Sequence, residues 1–160
     1  LKHAAALAAF CAPTMNSYRR LIPGQGPTEL SLSNTRAASV CRVPAGTTGP
    51  APGARRVKFC AADATANPYL AFSAMIMAGL DGIEHKVDPA IDPDGPSGHL
   101  PHSLEHALEA LKTDNDFLLR GGVFTTQLLD AWVANRWREQ ILPVRAAPHP
   151  MELQLDALDG

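Results

Sequence analysis

The chain has 160 residues, of which 46% are hydrophobic, and its formal net charge is −2. This length suits one ordinary domain, and the apolar fraction is large enough to form a buried core. The apolar stretch of residues 1–10 is too short to span a membrane and lacks the start and basic region of a secretion signal, so neither a membrane protein nor a secreted one is indicated.

The three cysteines indicate the cellular setting. Cys11, Cys41 and Cys60 lack the spacing of metal ligands, and their odd number argues against a disulfide framework. We therefore predict a reducing, cytoplasmic environment. The sequence also opens on Leu1 in the middle of an apolar pattern, and we interpret it as part of a longer protein.

The small net charge hides a separation of charge along the chain. Residues 19–58 carry seven basic side chains and one acidic side chain, whereas residues 59–160 carry six basic and fifteen acidic ones. The basic block is rich in arginine, which binds carboxylates and phosphates through paired hydrogen bonds, so we expect it to bind an anion. A solvated basic face is the alternative. The block has no recognisable nucleic-acid motif and only Tyr18 and Phe59 as aromatic residues, which argues against a nucleic acid as the partner.

The first half of the chain is predicted to contain one helix and three short strands, at residues 3–10, 30–33, 39–43 and 55–61. Proline and glycine dominate the connections between them. Side chains alternate along a strand, so Arg56, Lys58 and Cys60 should share one face of the third strand.

The second half is predicted to be helical. Asn67 is suited to cap a helix whose first residue is Pro68. No residue from 64 to 80 is charged, and we therefore predict that this helix is buried on every side within a larger body. Early strands and late helices predict the α+β class, with antiparallel strands followed by a helical C-terminal half.

Two further long helices are predicted, over residues 103–112 and 126–141. The first presents an apolar face of Leu104, Ala107, Leu108 and Leu111. Thr113 and Thr125 are suited to cap the two helices that follow them.

Four sequence runs resemble the glutamine synthetase family, in the family's order and at compatible spacing. They are PTMNSYRRLIPG at 13–24, ANPYL with GLDGI at 66–70 and 79–83, GGVFT at 121–125, and PHPME at 148–152. The resemblance covers nearly the whole chain and is closest to the bacterial type I branch. It implies that residues 1–160 are the C-terminal part of the catalytic domain, without the N-terminal β-grasp domain and the upstream catalytic half.

The resemblance implies a ligase that makes glutamine from glutamate, ammonia and ATP with Mg²⁺ or Mn²⁺. Arg20 corresponds to the arginine that binds the glutamate carboxylate. Arg36 and Arg42 resemble the pair that contacts ATP phosphates and substrate, although five residues separate them here instead of four. Arg56 corresponds to an arginine of the nucleotide site. A surface arginine or an internal salt bridge is the alternative for each.

Three positions depart from the family pattern. Where the family has a catalytic glutamate in the run x-E-A-P, this chain has Gly26. Lys58 stands at the position of a metal-binding glutamate, and Cys60 at that of a second arginine. Glycine has no side chain to substitute, and an ammonium group repels Mg²⁺. We therefore expect neither a catalytic residue nor a metal ligand at these positions.

Three hypotheses remain open from the sequence. The chain is a catalytically degenerate portion of a glutamine synthetase-like ligase, part of an active family ligase with a modified amine or metal site, or a non-enzymatic assembly module. In the family, the C-terminal segment docks on a subunit of the opposite ring. The corresponding segment here is 148–160, where Met151, Leu155 and Leu158 would share one helical face. We expect homo-oligomers through this segment.

Two smaller sets of residues were weighed as sites. His99, His102 and His106 have the spacing of metal ligands, but they flank a helix N-terminus where the family has no metal, and this favours ordinary surface histidines. Cys60, close to Arg56 and Lys58 in sequence, is either an acidic, reactive thiol or a half-buried inert one, and the second interpretation is favoured.

Overall fold

The computed structural model describes residues 1–44, 56–88 and 98–148 of the chain. Its strands are β1 (Glu29–Ser33), β2 (Ser39–Arg42) and β3 (Lys58–Phe59). Its α-helices are α1 (Ala4–Cys11), α2 (Pro68–Glu84), α3 (Leu104–Thr113), α4 (Asp116–Leu119), α5 (Thr126–Arg136) and α6 (Leu142–Ala146). A 3₁₀ turn spans Met15–Arg19, and a π-helical turn, Trp137–Ile141, joins α5 to α6. In this part of the chain, no helix has both the length and the apolar character needed to cross a bilayer.

The three strands form one mixed sheet in the order β1–β2–β3. The α+β class is confirmed, but the expectation of antiparallel strands throughout was wrong for the first pair. β1 and β2 run parallel, whereas β2 and β3 run antiparallel. The Ser33 hydroxyl accepts hydrogen bonds from the backbone N–H groups of Thr35 and Arg36. This turn reverses the chain at the end of β1, so that residues 34–38 lead back to the start of that strand before β2 begins.

Helix α1 lies at the centre of the core and packs against α2 and α3. Its alanines allow close approach, and Phe10 packs its ring against the rings of Phe124 and Trp132 at centroid distances of 5.5 and 5.6 Å. The indole N–H of Trp132 also donates to the carbonyl of Ala9 at 3.2 Å, which fixes α5 against α1. The predicted apolar face of α3 is buried in full. The core is therefore α1 surrounded by the later helices and the sheet.

Helix α2 begins as predicted but is not buried on every side. The Asn67 side chain accepts hydrogen bonds from the backbone N–H groups of Tyr69 and Leu70, and Pro68 is the first helical residue. Burial is confined to the face formed by Ala71, Ala74, Met77 and Asp81. Five large apolar side chains on the rest of the helix are exposed, namely Tyr69, Phe72, Ile76, Leu80 and Ile83. The described part of the chain supplies no layer over this stripe, so burial on every side within a larger body stays a prediction.

One predicted cap is confirmed and the other was wrong. The Thr125 hydroxyl accepts a hydrogen bond from the backbone N–H of Leu128 and opens α5. Thr113 is the last residue of α3, and its hydroxyl donates to the carbonyls of Glu109 and Ala110. The residue that precedes α4 is Asn115, which has no capping hydrogen bond to that helix. Thr113 therefore closes α3 because its hydroxyl reaches back to the preceding turn.

The predicted helix over 126–141 is present with a change of pitch at its end. In the π-helical turn, the backbone N–H of Leu142 donates to the carbonyl of Trp137, five residues earlier. Pro143 follows, and it has no N–H to donate and crowds the carbonyl four residues before it. The wider turn lets the chain continue into α6 past this proline.

A buried carboxylate ties the N-terminus of the chain to α2. Asp81 is 4% exposed, and its Oδ2 accepts hydrogen bonds from His3 Nε2 at 2.9 Å and from Lys2 Nζ at 3.1 Å. The bond from His3, together with Lys2 and His85, outweighs burial and lowers the pKa of Asp81 to about 2. Arg120 adds a longer contact of 3.6 Å to the other carboxylate oxygen. Asp81 is thus a fully compensated buried charge.

His3 extends this network to the end of α3. Its Nδ1 lies 2.8 Å from a carboxylate oxygen of Asp114, and its ring stacks on Phe117 at a centroid distance of 3.9 Å. Each ring nitrogen of His3 faces a carboxylate oxygen, one of Asp81 and one of Asp114. The ring therefore lies between two carboxylates and links three segments of the chain.

We expect Asp81→Asn to lower the free energy of unfolding by about 3 kcal/mol, because it leaves His3 and Lys2 facing a neutral amide. The exposed Asp130→Asn on α5 is the matched control and should change it by less than about 0.5 kcal/mol. Urea unfolding followed by tryptophan fluorescence measures both.

Asp81 also makes the free energy of unfolding depend on pH. The folded pKa of Asp81 lies below its unfolded value, so its contribution is complete above about pH 4 and is lost as the pH falls towards about 2. The difference between wild type and Asp81→Asn should shrink over this window. A difference that stays constant down to pH ~2 would contradict this role.

Candidate functional site

The antiparallel pair β2–β3 brings two cations together on one face of the sheet. Arg42 and Lys58 are direct cross-strand partners, so their side chains emerge side by side. Arg42 Nε donates to the Sγ of Cys60 at 3.0 Å, and Lys58 is exposed. Arg56, two residues before Lys58, is exposed as well. Like charges directly opposite each other are destabilising, so an anion would relieve the repulsion on this cationic face (Arg42, Arg56 and Lys58).

Arg20 lies beside this face and holds the chain that leaves β3. Its guanidinium donates to three successive backbone carbonyls, those of Cys60 at 3.3 Å, Ala61 at 2.7 Å and Ala62 at 3.3 Å. These bonds use three of the five N–H donors of the side chain. Arg20 and Arg42 therefore meet at Cys60, one at its carbonyl and the other at its sulfur.

Arg36 is not brought to the same place. It lies on the return loop between β1 and β2, where its guanidinium pairs with a carboxylate oxygen of Glu29 at 3.2 Å. Arg42 is at the opposite end of β2, roughly 10 Å away along the strand from Ser39. Of the four predicted arginines, the structure brings Arg20 and Arg42 together at Cys60. Arg56 is exposed just before β3, and Arg36 forms a surface ion pair.

The turn at Gly26 excludes the side chain that the family pattern has there. The backbone N–H groups of Gln25 and Gly26 both donate to the carbonyl of Ile22, which folds the turn back on itself. A Cβ placed on Gly26 would overlap the carbonyl oxygen of Arg20. The run Gln25-Gly26-Pro27 is also one residue shorter than x-E-A-P. A glutamate at position 26 therefore requires a different backbone as well as a different side chain.

The residues at this face do not fit a divalent metal ion. The position that resembles a metal-binding glutamate holds the Lys58 ammonium, which has no lone pair to offer while protonated. In residues 1–44, 56–88 and 98–148, no group of three or more His, Cys, Asp or Glu side chains is arranged to hold a metal. The face is suited to anions and unsuited to Mg²⁺ or Mn²⁺.

Two of the cysteines, Cys11 and Cys60, are buried, and Cys41 is half-buried. Cys60 is 8% exposed beneath Arg42, as the inert interpretation expects. Burial, reinforced by Asp63, raises the pKa of the Cys11 thiol to about 12, and burial also raises the pKa of Cys41. Cys41 pairs with Phe59 and so points to the opposite face of the sheet from Cys60. These two thiols therefore do not face each other.

A cavity of about 610 Å³ lies on that opposite face of the sheet. Cys41 and Phe59 line it from the sheet, Leu7 from α1, and Met75 and Ala78 from α2. None of the predicted arginines lines it. It is a mainly apolar space between the sheet and α2, and it is separate from the cationic face.

Sequence reasoning missed the network around Asp81. A signal for it was present, because Asp81 is the first charged residue after a long uncharged run on α2. A carboxylate on the apolar face of a helix is rarely buried without cationic partners. The partners Lys2, His3 and Asp114 are distant in sequence, and no local pattern points to them.

The fold is of the α+β class, and the β2–β3 side of its sheet carries arginine side chains. Residues 1–155 match the family model described as glutamine synthetase, catalytic domain. The chain belongs to the glutamine synthetase family.

Individual relatives agree with this assignment. The chain is 46% identical to the glutamine synthetase of Frankia alni and 44% identical to that of Streptomyces filamentosus, in each case over 97% of this chain and 35% of the relative. Its structure matches a cryo-EM structure of Plasmodium falciparum glutamine synthetase with a TM-score of 0.85 and 26% identity, over 96% of this chain and 39% of the other. The chain thus spans about a third of the length of the curated relatives it matches.

We expect Gly26→Glu to lower stability by more than about 1 kcal/mol, because its Cβ would overlap the Arg20 carbonyl. Gly26→Ala should do the same, since the overlap begins at Cβ. Gln25→Glu is the matched control, because it adds the same charge at the neighbouring exposed position. Thermal unfolding of the three variants measures this, and a Gly26→Ala variant as stable as wild type would show that the turn relaxes freely.

Proposed function

We propose that this chain is the C-terminal catalytic-domain portion of a glutamine synthetase-type ligase that joins ammonia or an amine to glutamate at the expense of ATP. We further propose that it supplies anion-binding side chains and is catalytically degenerate in itself. The observation that carries the proposal is the pairing of Arg42 with Lys58 on the exposed face of β2 and β3. A cation occupies the position where the resemblance implies a metal ligand.

The cationic face supports phosphate binding. Arg42 and Arg56 are the residues that would hold phosphate oxygens of ATP, and Lys58 adds a third positive charge next to them. Guanidinium groups bind phosphate with paired, charge-assisted hydrogen bonds. ATP supplies the phosphoryl group of the family's reaction, and these side chains neutralise and orient its charge.

Arg20 supports recognition of the substrate carboxylate. Its three bonds to backbone carbonyls fix the guanidinium at the end of β3. Nε–H and one N–H of Nη1 remain after these bonds, and each can donate a single hydrogen bond to a carboxylate oxygen. Arg36 is the weaker candidate for substrate or phosphate, because Glu29 already neutralises it.

Loss of chemistry in this chain is supported at two positions. Gly26 has no side chain to take a proton, and the turn leaves no room for one. Lys58 repels the divalent ions that the family uses, so this face would neutralise phosphate charge with fixed side chains instead of Mg²⁺ or Mn²⁺.

We expect the isolated chain to form no glutamine from glutamate, ammonium and ATP. Phosphate release that depends on both glutamate and ammonium is the measurement, with heat-treated protein as the control. Release above that control would contradict the proposed degeneracy and favour an active, rebuilt site.

We expect the chain to bind ATP or pyrophosphate without Mg²⁺, with an affinity that falls as salt rises. Lys58→Glu should weaken this binding by at least about tenfold, since it removes a charge-assisted contact and adds repulsion. Arg138→Glu makes the same charge change at an exposed position distant in sequence and should have little effect.

Calorimetry at low salt measures this binding. Binding that requires Mg²⁺, or equal losses in Lys58→Glu and Arg138→Glu, would contradict the specific role of the cationic face.

Assembly through segment 148–160 is the second part of the proposal. Residues 149–160 lie outside the described residues, so the support comes from the sequence, where Met151, Leu155 and Leu158 share one helical face. The exposed apolar stripe of α2 is a second candidate surface for association, because burying it against another subunit would remove apolar area from water.

We expect the intact chain to form concentration-dependent oligomers and a chain truncated after Pro148 to lose them. Leu155→Asp should act like the truncation, whereas Gln154→Asp, on another side of the same segment, should not. Light scattering over a wide concentration range measures the mass. Equal masses for intact and truncated chains would show that this segment does not mediate association.

A further inference from the structure

One side of α2 presents an apolar stripe that faces away from the core. The stripe consists of Tyr69, Phe72, Ile76, Leu80 and Ile83, and each of these residues is between 52% and 84% exposed. At 3.6 residues per turn, the five side chains lie within roughly 80° of the helix circumference. They lie opposite the buried face of the same helix, so a second body can approach them without a change in the described fold.

The spacing of the large residues is the same when the stripe is followed from either end. Ile76 is the central residue of α2. Phe72 and Leu80 lie four residues before and after it. Tyr69 and Ile83 lie seven residues before and after it. If two α2 helices pack antiparallel about a twofold axis at Ile76, each large side chain therefore lies opposite another large one, as a self-complementary contact requires.

The residues beside the stripe agree with the same pairing. Ser73 and Gly79 lie three residues before and after Ile76, so a small residue would lie opposite a small one. A Cβ placed on Gly79 would meet no atom within 4 Å, so this side of the helix leaves room for a close neighbour. No residue from 64 to 80 is charged, and pairing over this length would bury no charge without a partner.

The exposed area is sufficient for a specific but weak contact. A fully exposed side chain of this size presents roughly 150 Å², so the five residues offer about 500 Å² per copy. Two copies would then bury about 1,000 Å², which is near the lower limit for a specific interface between proteins. A contiguous apolar patch of this size is typical of an interaction surface.

We propose that α2 binds α2 of a second copy of this chain, with the two helices antiparallel about a twofold axis at Ile76. The contact uses the same surface on both copies, so it closes on two chains and does not propagate. It extends the assembly part of the proposed function, but it uses neither segment 148–160 nor the cationic face. Because the buried area is small, the dimer is in equilibrium with the monomer, and covalent trapping detects it better than a measurement of mass.

Disulfide trapping in the full chain tests this pairing. In two packed helices about 9 Å apart, the two Cα atoms of position 76 lie within about 6 Å of each other, a distance that a disulfide spans. We expect Ile76→Cys to form disulfide dimers at least about tenfold faster than Asp130→Cys, the matched control at an exposed position on α5. The native cysteines are buried or half-buried, and the wild-type chain measures their contribution.

Two further variants test the direction of the pairing. Phe72→Cys and Leu80→Cys should each trap poorly alone, because the two copies of either position lie roughly 12 Å apart along the helix axes. A mixture of these two variants should form the mixed disulfide readily, since position 72 of one copy lies opposite position 80 of the other. Equal trapping of each single variant at positions 72, 76 and 80 would contradict the antiparallel arrangement.

Leu155→Asp separates this contact from the proposed role of segment 148–160. Disulfide trapping at position 76 should be unchanged when Leu155→Asp is combined with Ile76→Cys, because the segment takes no part in the contact. Loss of trapping in the combined variant would show that the segment brings the copies together. Trapping at position 76 no faster than at position 130 would show that a second copy does not occupy the stripe. Either result would overturn the proposal.

Discussion

The contact between Asp81 and its cationic partners sets how the rest of this chain is arranged. A buried carboxylate is costly unless it is paired and hydrogen-bonded, and here the partners are Lys2 and His3, nearly eighty residues away in sequence. The hydrogen bonds of Lys2 and His3 to Asp81 hold the start of α1 against α2. The other ring nitrogen of His3 contacts Asp114 at the end of α3. With α1 held in this way, its alanines and Phe10 become the surface on which α3 and α5 pack. The sheet covers another side of the same helix region, where the apolar cavity opens.

Local patterns predicted most of the elements, and tertiary context decided the rest. Asn67 with Pro68, the apolar face of α3 and the Thr125 cap follow from rules that act within a few residues, and each is present. Thr113 could serve either as an N-cap or as the end of a helix, because its hydroxyl reaches carbonyls as easily as N–H groups. The parallel pairing of β1 and β2 depends on the Ser33 turn, and the antiparallel alternative uses the same hydrophobic pattern. Burial of α2 on every side stays a prediction, because the described chain supplies contacts for only one face of the helix.

The candidate site follows the same division. Alternation along β3 was sufficient to predict that Lys58 and Cys60 share a face, and the pairing with Arg42 on that face agrees with it. That Arg36 pairs with Glu29, and that Arg20 is occupied with backbone carbonyls, depends on loop paths that no short motif determines. At Gly26 the sequence records a missing side chain, whereas the structure adds that the backbone has closed over the space. The sequence alone cannot show whether Gly26 only lacks a side chain or also lies in a rearranged turn, and the structure shows that the turn leaves no room for a Cβ.

The three carbonyls held by Arg20 also carry a thermodynamic consequence. A carboxylate that moves the Arg20 guanidinium must break its hydrogen bonds to the carbonyls of residues 60–62. The free energy of ligand binding is then coupled to the conformational order of that segment. This coupling is reciprocal. If a ligand bound to Arg20 makes the end of β3 less ordered, then a second ligand that orders β3 lowers the affinity of the first by the same factor. Arg42, which reaches Cys60 from the other side, is the group through which an anion on the cationic face would exert this effect. Anions bound at Arg20 and at the cationic face would then be coupled through Cys60 without touching each other.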